Sequence, residues 1–92
     1  MTAGKRSKVD IYSAVLDSIC REGGREGTAS PTRVAHRANI SYDRFLKILD
    51  HFVELGWVHK TDAGLEITLK GVKCYSEIKK TTEFLRRIGL SI

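Results

Sequence analysis

From residue 8 onward, apolar positions recur every three or four residues, the period of a helix with one buried face. Val9, Tyr12, Val15, Leu16 and Ile19 mark the first such stretch. Ser7, with Asp10 three places on, signals a capping box at its start, and Gly23-Gly24 stops it after Glu22. A polar, glycine-punctuated link from Gly23 to Ala29 leads to Ser30-Pro31, a helix start in which Ser caps and Pro occupies the first turn. The short helix that follows carries Val34, Ala35 and Ala38 on one face and ends at Asn39, a residue that tolerates the left-handed conformation. Ser41 caps a third helix whose apolar positions Phe45, Ile48, Leu49, Phe52 and Leu55 continue to Gly56.

The period then changes. Trp57 to Lys60 is a strand candidate, Thr61-Asp62-Ala63-Gly64 a turn, and Leu65, Ile67 and Leu69 alternate with Glu66 and Thr68, which together predict a hairpin. With Thr68 as cap, a last helix runs to about Ile88, with Tyr75, Ile78, Thr82 and Leu85 spaced by three and four and Phe84 and Ile88 alongside. Residues 1–7 (MTAGKRS) have no period and read as a flexible basic arm. No internal repeat interrupts this order.

Ninety-two residues, 41% hydrophobic, suit one domain with a single thin core and leave little room for an internal cofactor cleft. No apolar run approaches the length of a membrane span, and the basic N-terminus leads into an amphipathic stretch rather than a secretory signal, so a cytoplasmic protein is expected. Cys20 and Cys74 lie in separate helical patterns without metal-ligand spacing, so two thiols in a reducing compartment, and no metal, are expected. His36, His51 and His59 lack a convergent nucleophile or carboxylate, and no glycine-rich phosphate loop is present. These features argue against an enzyme, a cofactor or a small-molecule ligand. Arg37 with Asp50, and His51 with Glu54, read as surface polar contacts.

Helix, short helix, turn, helix and hairpin is the order of a winged helix-turn-helix: a mainly α fold with a small β-hairpin wing (α+β), here a three-helix core plus a C-terminal helix. In residues 30–49 (SPTRVAHRANISYDRFLKIL), Ala35 is small where two helices cross, Ile40 plugs the core, and Phe45 and Leu49 close it. Leu55-Gly56 before an aliphatic strand, Thr61-Asp62-Ala63-Gly64 as wing, and Ile67-Thr68-Leu69-Lys70-Gly71 after it complete the pattern. Over residues 7 to 88 the chain resembles archaeal winged-helix regulators and chromatin proteins that dimerise through a C-terminal helix. The division expected is 1–7 as arm, 8–69 as DNA-binding domain and 70–92 as dimerisation element.

In such a fold the third helix enters the major groove of double-stranded DNA, while the second helix and wing grip phosphates. The outward positions of helix 41–55 are Tyr42, Asp43, Arg44, Lys47 and His51. Arg44 is the base-reading candidate because a guanidinium pairs with guanine O6 and N7 together, and Lys47 and Tyr42 reach phosphate. Asp43 either favours the helix dipole or accepts from cytosine N4. Arg33, His36 and Arg37, Lys60 and Thr61 at the wing, and Lys5, Arg6 and Lys8 at the N-terminus are candidates for backbone contact. The net charge of +5 fits a polyanionic partner. The charge is unevenly placed, however: Asp43, Asp50 and Glu54 outnumber Arg44 and Lys47, whereas six basic residues face only Glu77 and Glu83 in the last helix.

Two readings fit that last helix. Tyr75, Ile78 and Leu85 could finish the monomer core. Alternatively Tyr75, Ile78, Thr82, Phe84, Leu85 and Ile88 could form a homodimer interface, the reading preferred because so small a core has little room for so wide a stripe. A two-fold dimer presents two recognition helices to half-sites about one DNA turn, ~34 Å, apart. The function expected is sequence-specific or architectural DNA binding, as a transcriptional regulator. The rivals are an RNA-binding or a protein-interaction winged helix, and only Tyr42 and Trp57 are available for base stacking.

Overall fold

Each helix begins where a side-chain oxygen can satisfy the amides that a first turn leaves unbonded. The computed structural model describes residues 7–23 and 27–90. It contains α1 (Lys8–Gly23), α2 (Pro31–Ala38), α3 (Tyr42–Glu54), strands β1 (Val58–Thr61) and β2 (Gly64–Ile67), and α4 (Leu69–Arg87). Ser7 Oγ accepts from the Asp10 amide at 3.1 Å while the Asp10 carboxylate accepts from the Ser7 amide at 3.3 Å, the reciprocal capping box. Ser30, Ser41 and Thr68 cap α2, α3 and α4, each accepting from the amide three residues on. Asn39 ends α2 at φ 59° and ψ 50°, the left-handed turn that brings α3 across α2.

The core lies between α1, α2, α3 and the hairpin. Val15, Leu16, Val34, Phe45 and Phe52 are fully buried, and Val58 and Leu65 close it from the two strands. Phe52 sits at its centre, edge-on to Tyr12 and tilted against Trp57, each with ring centroids 5.2 Å apart. The strands pair antiparallel in the register Val58 with Ile67 through Thr61 with Gly64. Ala29 extends this pairing, exchanging both backbone hydrogen bonds with Leu65 at 2.8 Å. The last residue of the polar link is therefore a buried sheet position. Gly64, at φ 145°, serves that junction, because a Cβ there would stand 2.6 Å from the Ala29 carbonyl.

α4 is anchored at its N-terminal half. The Thr68 hydroxyl lies 2.7 and 3.1 Å from the Gly56 and Trp57 carbonyls, to which it donates, and a Cβ on Gly71 would collide with the Trp57 carbonyl. Tyr75 and Ile78 pack on the core margin, and Tyr75 Oη donates to Asp17 Oδ1 of α1 at 2.5 Å. Near the far end, Arg86 pairs with Asp10 at 3.6 Å.

Two details correct the sequence reading. Val9 is 37% exposed and Ile11 only 5%, because the buried stripe of α1 centres on Val15 and Ile19 and Val9 falls at its rim. Leu69 does not continue the strand alternation: β2 ends at Ile67, and Leu69 opens α4 with 73% of its surface exposed.

Candidate nucleic-acid interface

The cap at Ser41 fixes which side chains leave the first turn of α3 toward solvent. Asp43, Arg44, Lys47, His51 and Glu54 are exposed while Phe45, Ile48, Leu49 and Phe52 point inward, the division the apolar period requires. Neither Arg44 nor Lys47 has an ion-pair partner among the described residues. Asp43 lies in the first turn, where its charge opposes the positive end of the helix dipole. His51, farther along, turns its ring toward Tyr12 of α1 with 5.9 Å between centroids. Tyr42 is half-exposed and tilts against Phe45 at 6.0 Å. With Pro31, Leu46, Leu49, Lys60 and Leu65 it lines a recess of about 230 Å³ where α3 meets the wing.

The wing is shaped by Thr61. Its hydroxyl accepts from the Ala63 and Gly64 amides at 3.2 Å and donates to the Gly64 carbonyl at 3.0 Å, so that oxygen is occupied within the turn. Lys60 Nζ donates to Asp50 Oδ1 of α3 at 3.2 Å, which ties wing to helix. Both partners are well exposed, so the tie is weak and open to exchange.

On α2 the arginines are already engaged. Glu22, in the last turn of α1, forks between Arg37 Nε at 2.8 Å and Arg33 Nε at 3.1 Å. The hydrogen bond from Arg37 holds the Glu22 carboxyl below the usual carboxylate range, aided by the nearby arginine charges. These three residues with Thr32 and the exposed His36 line an open recess of about 470 Å³. Arg37 thus pairs with Glu22, and Asp50 with Lys60, in place of the Arg37 and Asp50 contact expected from the sequence. Lys8 is the first residue of α1 and lies over the Tyr12 ring at 5.9 Å, whereas Lys5 and Arg6 fall outside the described residues.

The six interface candidates of α4 separate onto two sides. Thr82 is buried and Tyr75 and Ile78 pack inward on the same chain; Leu85 is half-buried; Phe84 and Ile88 are exposed at 52% and 54%. Burial, the Asp17 hydrogen bond and the Asp17 charge push the Tyr75 phenol up to about 12. Burial first, then Asp17, also pushes the Cys20 thiol up, which makes it a poor nucleophile. Among the described residues no group of three or more His, Cys, Asp or Glu could hold a metal ion, and no helix is long and apolar enough to cross a membrane.

Glu22 is the member of this surface that the sequence alone does not reveal. It lies 11 and 15 positions from its arginines, and no local spacing announces such a pair.

A profile of the winged helix-turn-helix family matches residues 5–86, taking in all four helices but the last residue of α4, together with the hairpin. The chain belongs to the winged helix-turn-helix family. The hairpin is therefore a wing and α3 stands at the position of the recognition helix. The chain is also similar to an uncharacterised protein of the archaeon Methanocaldococcus jannaschii, 28% identical over 81 residues that cover 88% of this chain and 78% of that protein.

Proposed function

We propose that this winged-helix protein binds double-stranded DNA, places α3 in the major groove and acts as a transcriptional regulator in the cytoplasm, with an architectural chromatin protein as its nearest variant. The observation that carries the reading is the pair Arg44 and Lys47, exposed on the N-terminal half of the recognition helix without an ion-pair partner among the described residues. Arg44 reads guanine; Lys47 and Tyr42 meet phosphate. Arg33, His36, Arg37 and Lys60 join the phosphate contacts after Glu22 and Asp50 give way, and Lys5 and Arg6 follow a groove. Residues 8–69 are the DNA-binding unit.

Residues 70–92 form the dimer element. Cys74, Thr81, Leu85 and Ile88, at successive spacings of seven, four and three, share one side of α4, a seam that two copies can share across a two-fold axis. Tyr75, Ile78 and Thr82, which pack on the rest of the chain, belong to the monomer instead.

A protein-docking winged helix is the second reading, favoured by the acidic residues that outnumber the basic ones on α3. Fluorescence anisotropy of a labelled mixed-sequence duplex separates them. DNA binding predicts micromolar affinity with a log-log salt slope implying about four or more displaced counterions. Silence at ~50 mM salt, where phosphate attraction is strong, selects the docking reading.

A further inference from the structure

The chain's surplus positive charge sits mainly on α4. Six basic and two acidic residues lie on that helix, against two basic and three acidic on α3. The charges of α4 are also the less compensated. Arg33, Arg37 and Lys60 near the recognition helix are each bound to a carboxylate, whereas of the basic residues on α4 only Arg86 has one among the described residues, at 3.6 Å.

Lys73, Lys80 and Arg87 are seven residues apart, so they share one face, about 10 Å from one to the next. All three are exposed, and none has an ion-pair partner among the described residues. Their row lies roughly opposite Gly71, Ile78 and Thr82, the positions with which α4 meets the rest of the chain. It is also separate from the seam assigned to dimerisation. Three cations over about 20 Å face a length along which duplex DNA carries about a dozen phosphate charges.

We infer that the ridge Lys73–Lys80–Arg87 is a second nucleic-acid contact surface, which holds the phosphate backbone of duplex DNA independently of sequence. The inference rests on the DNA-binding reading above. A lipid surface fits this ridge less well. A helix that lies in a bilayer interface buries one continuous apolar face, whereas the exposed apolar residues of α4, Leu69, Val72, Phe84 and Ile88, are interspersed with Lys73, Glu77, Lys80 and Glu83. Backbone contact needs only a row of accessible cations, and the α4 ridge supplies it where the acidic outward face of α3 does not.

The test is the salt dependence of binding to a labelled mixed-sequence duplex, for the full chain and two variants: K73A/K80A/R87A on the ridge and R44A/K47A on α3. Loss of three phosphate contacts lowers the log-log slope by about 2 to 3 in the ridge variant. Its thermal midpoint stays at the parent value, since the three side chains are exposed and have no ion-pair partner among the described residues; a lowered midpoint is met by repeating the titration with K73Q/K80Q/R87Q, read by the same slope. A ridge variant with parent slope and affinity overturns the inference. If R44A/K47A loses binding in that case, the major-groove reading stands alone. If instead the ridge variant loses binding and R44A/K47A does not, the ridge is upheld and the major-groove reading falls. A parent protein that ignores duplex DNA but binds phosphatidylserine vesicles through the same three residues overturns both.

Discussion

Helices α3 and α4 meet the protein and the solvent in opposite ways. α3 buries Phe45, Ile48, Leu49 and Phe52 and shows a face on which acids outnumber bases. α4 buries only Gly71 and Thr82, touches the core through Tyr75 and Ile78, and shows a strongly basic face with Phe84 and Ile88 exposed. α3 is thus part of what holds the domain together, and its outward chemistry is constrained to a few positions. α4 is attached through a few contacts, and most of its surface is available to something outside the monomer. On the proposed function, that difference becomes a division of labour in which α3 supplies selectivity and α4 supplies charge and pairing.

The sharpest way to break the comparison is to truncate one aromatic on each helix. Phe45→Ala is expected to cost about 3–5 kcal/mol because it empties a fully buried site, whereas Phe84→Ala costs the monomer less than about 0.5 kcal/mol. Urea unfolding at low protein concentration measures both; equal losses would mean that α4 is as integral as α3. Self-association in sedimentation equilibrium should weaken instead on Ile88→Ala, in the proposed dimer seam.

Gly71→Ala comes next, at about 1–3 kcal/mol, since its Cβ must push α4 off the Trp57 carbonyl. The same substitution at an exposed helical site would stabilise, so a gain in melting temperature would show that α4 does not make this close approach.

Tyr75→Phe removes a hydrogen bond to a carboxylate and is expected to cost about 1.5 kcal/mol. The pH dependence has a defined sign. The Tyr75 phenol is pushed from 10.0 up to about 12 in the folded chain, so the unfolded chain loses that proton first. Its stabilisation is complete below pH 10 and declines as pH rises from there to about 12. Unfolding curves of the parent should show this decline, and those of Tyr75→Phe a smaller one.

The smallest effect is expected at Glu22. Glu22→Gln frees Arg33 and Arg37 from a competing carboxylate, and duplex affinity should rise about twofold to fivefold at low salt. A fall would mean that the pair orients α2 for binding rather than competing with phosphate.

What could be read in the sequence was what is decided locally. Ser30, Ser41 and Thr68 cap their helices and Asn39 takes the left-handed turn, because each acts on its own backbone or on amides within three residues. The burial of Phe45, Leu49 and Phe52 was equally plain from the helical period. What escaped depends on approach between distant segments: Ala29 pairing with Leu65, Glu22 reaching across to α2, and Lys60 finding Asp50. The ambiguity of α4 was real in the sequence because its apolar residues divide between two sides of the helix. Tyr75 and Ile78 finish the core, and Phe84 and Ile88 stay outside it. Of the candidate site, the inward and outward positions of α3 were legible in the sequence. The state of the α2 arginines was not, since a basic residue in a sequence does not reveal the acid that neutralises it.

The most direct test of the central claim is an amide chemical-shift map of the isotopically labelled chain titrated with a duplex. The largest changes are expected on residues 41–47 of α3 and 59–62 of the wing, with further changes along the α4 ridge. A map in which duplex binding leaves residues 41–47 unmoved would contradict the assignment of α3 as the helix that enters the groove.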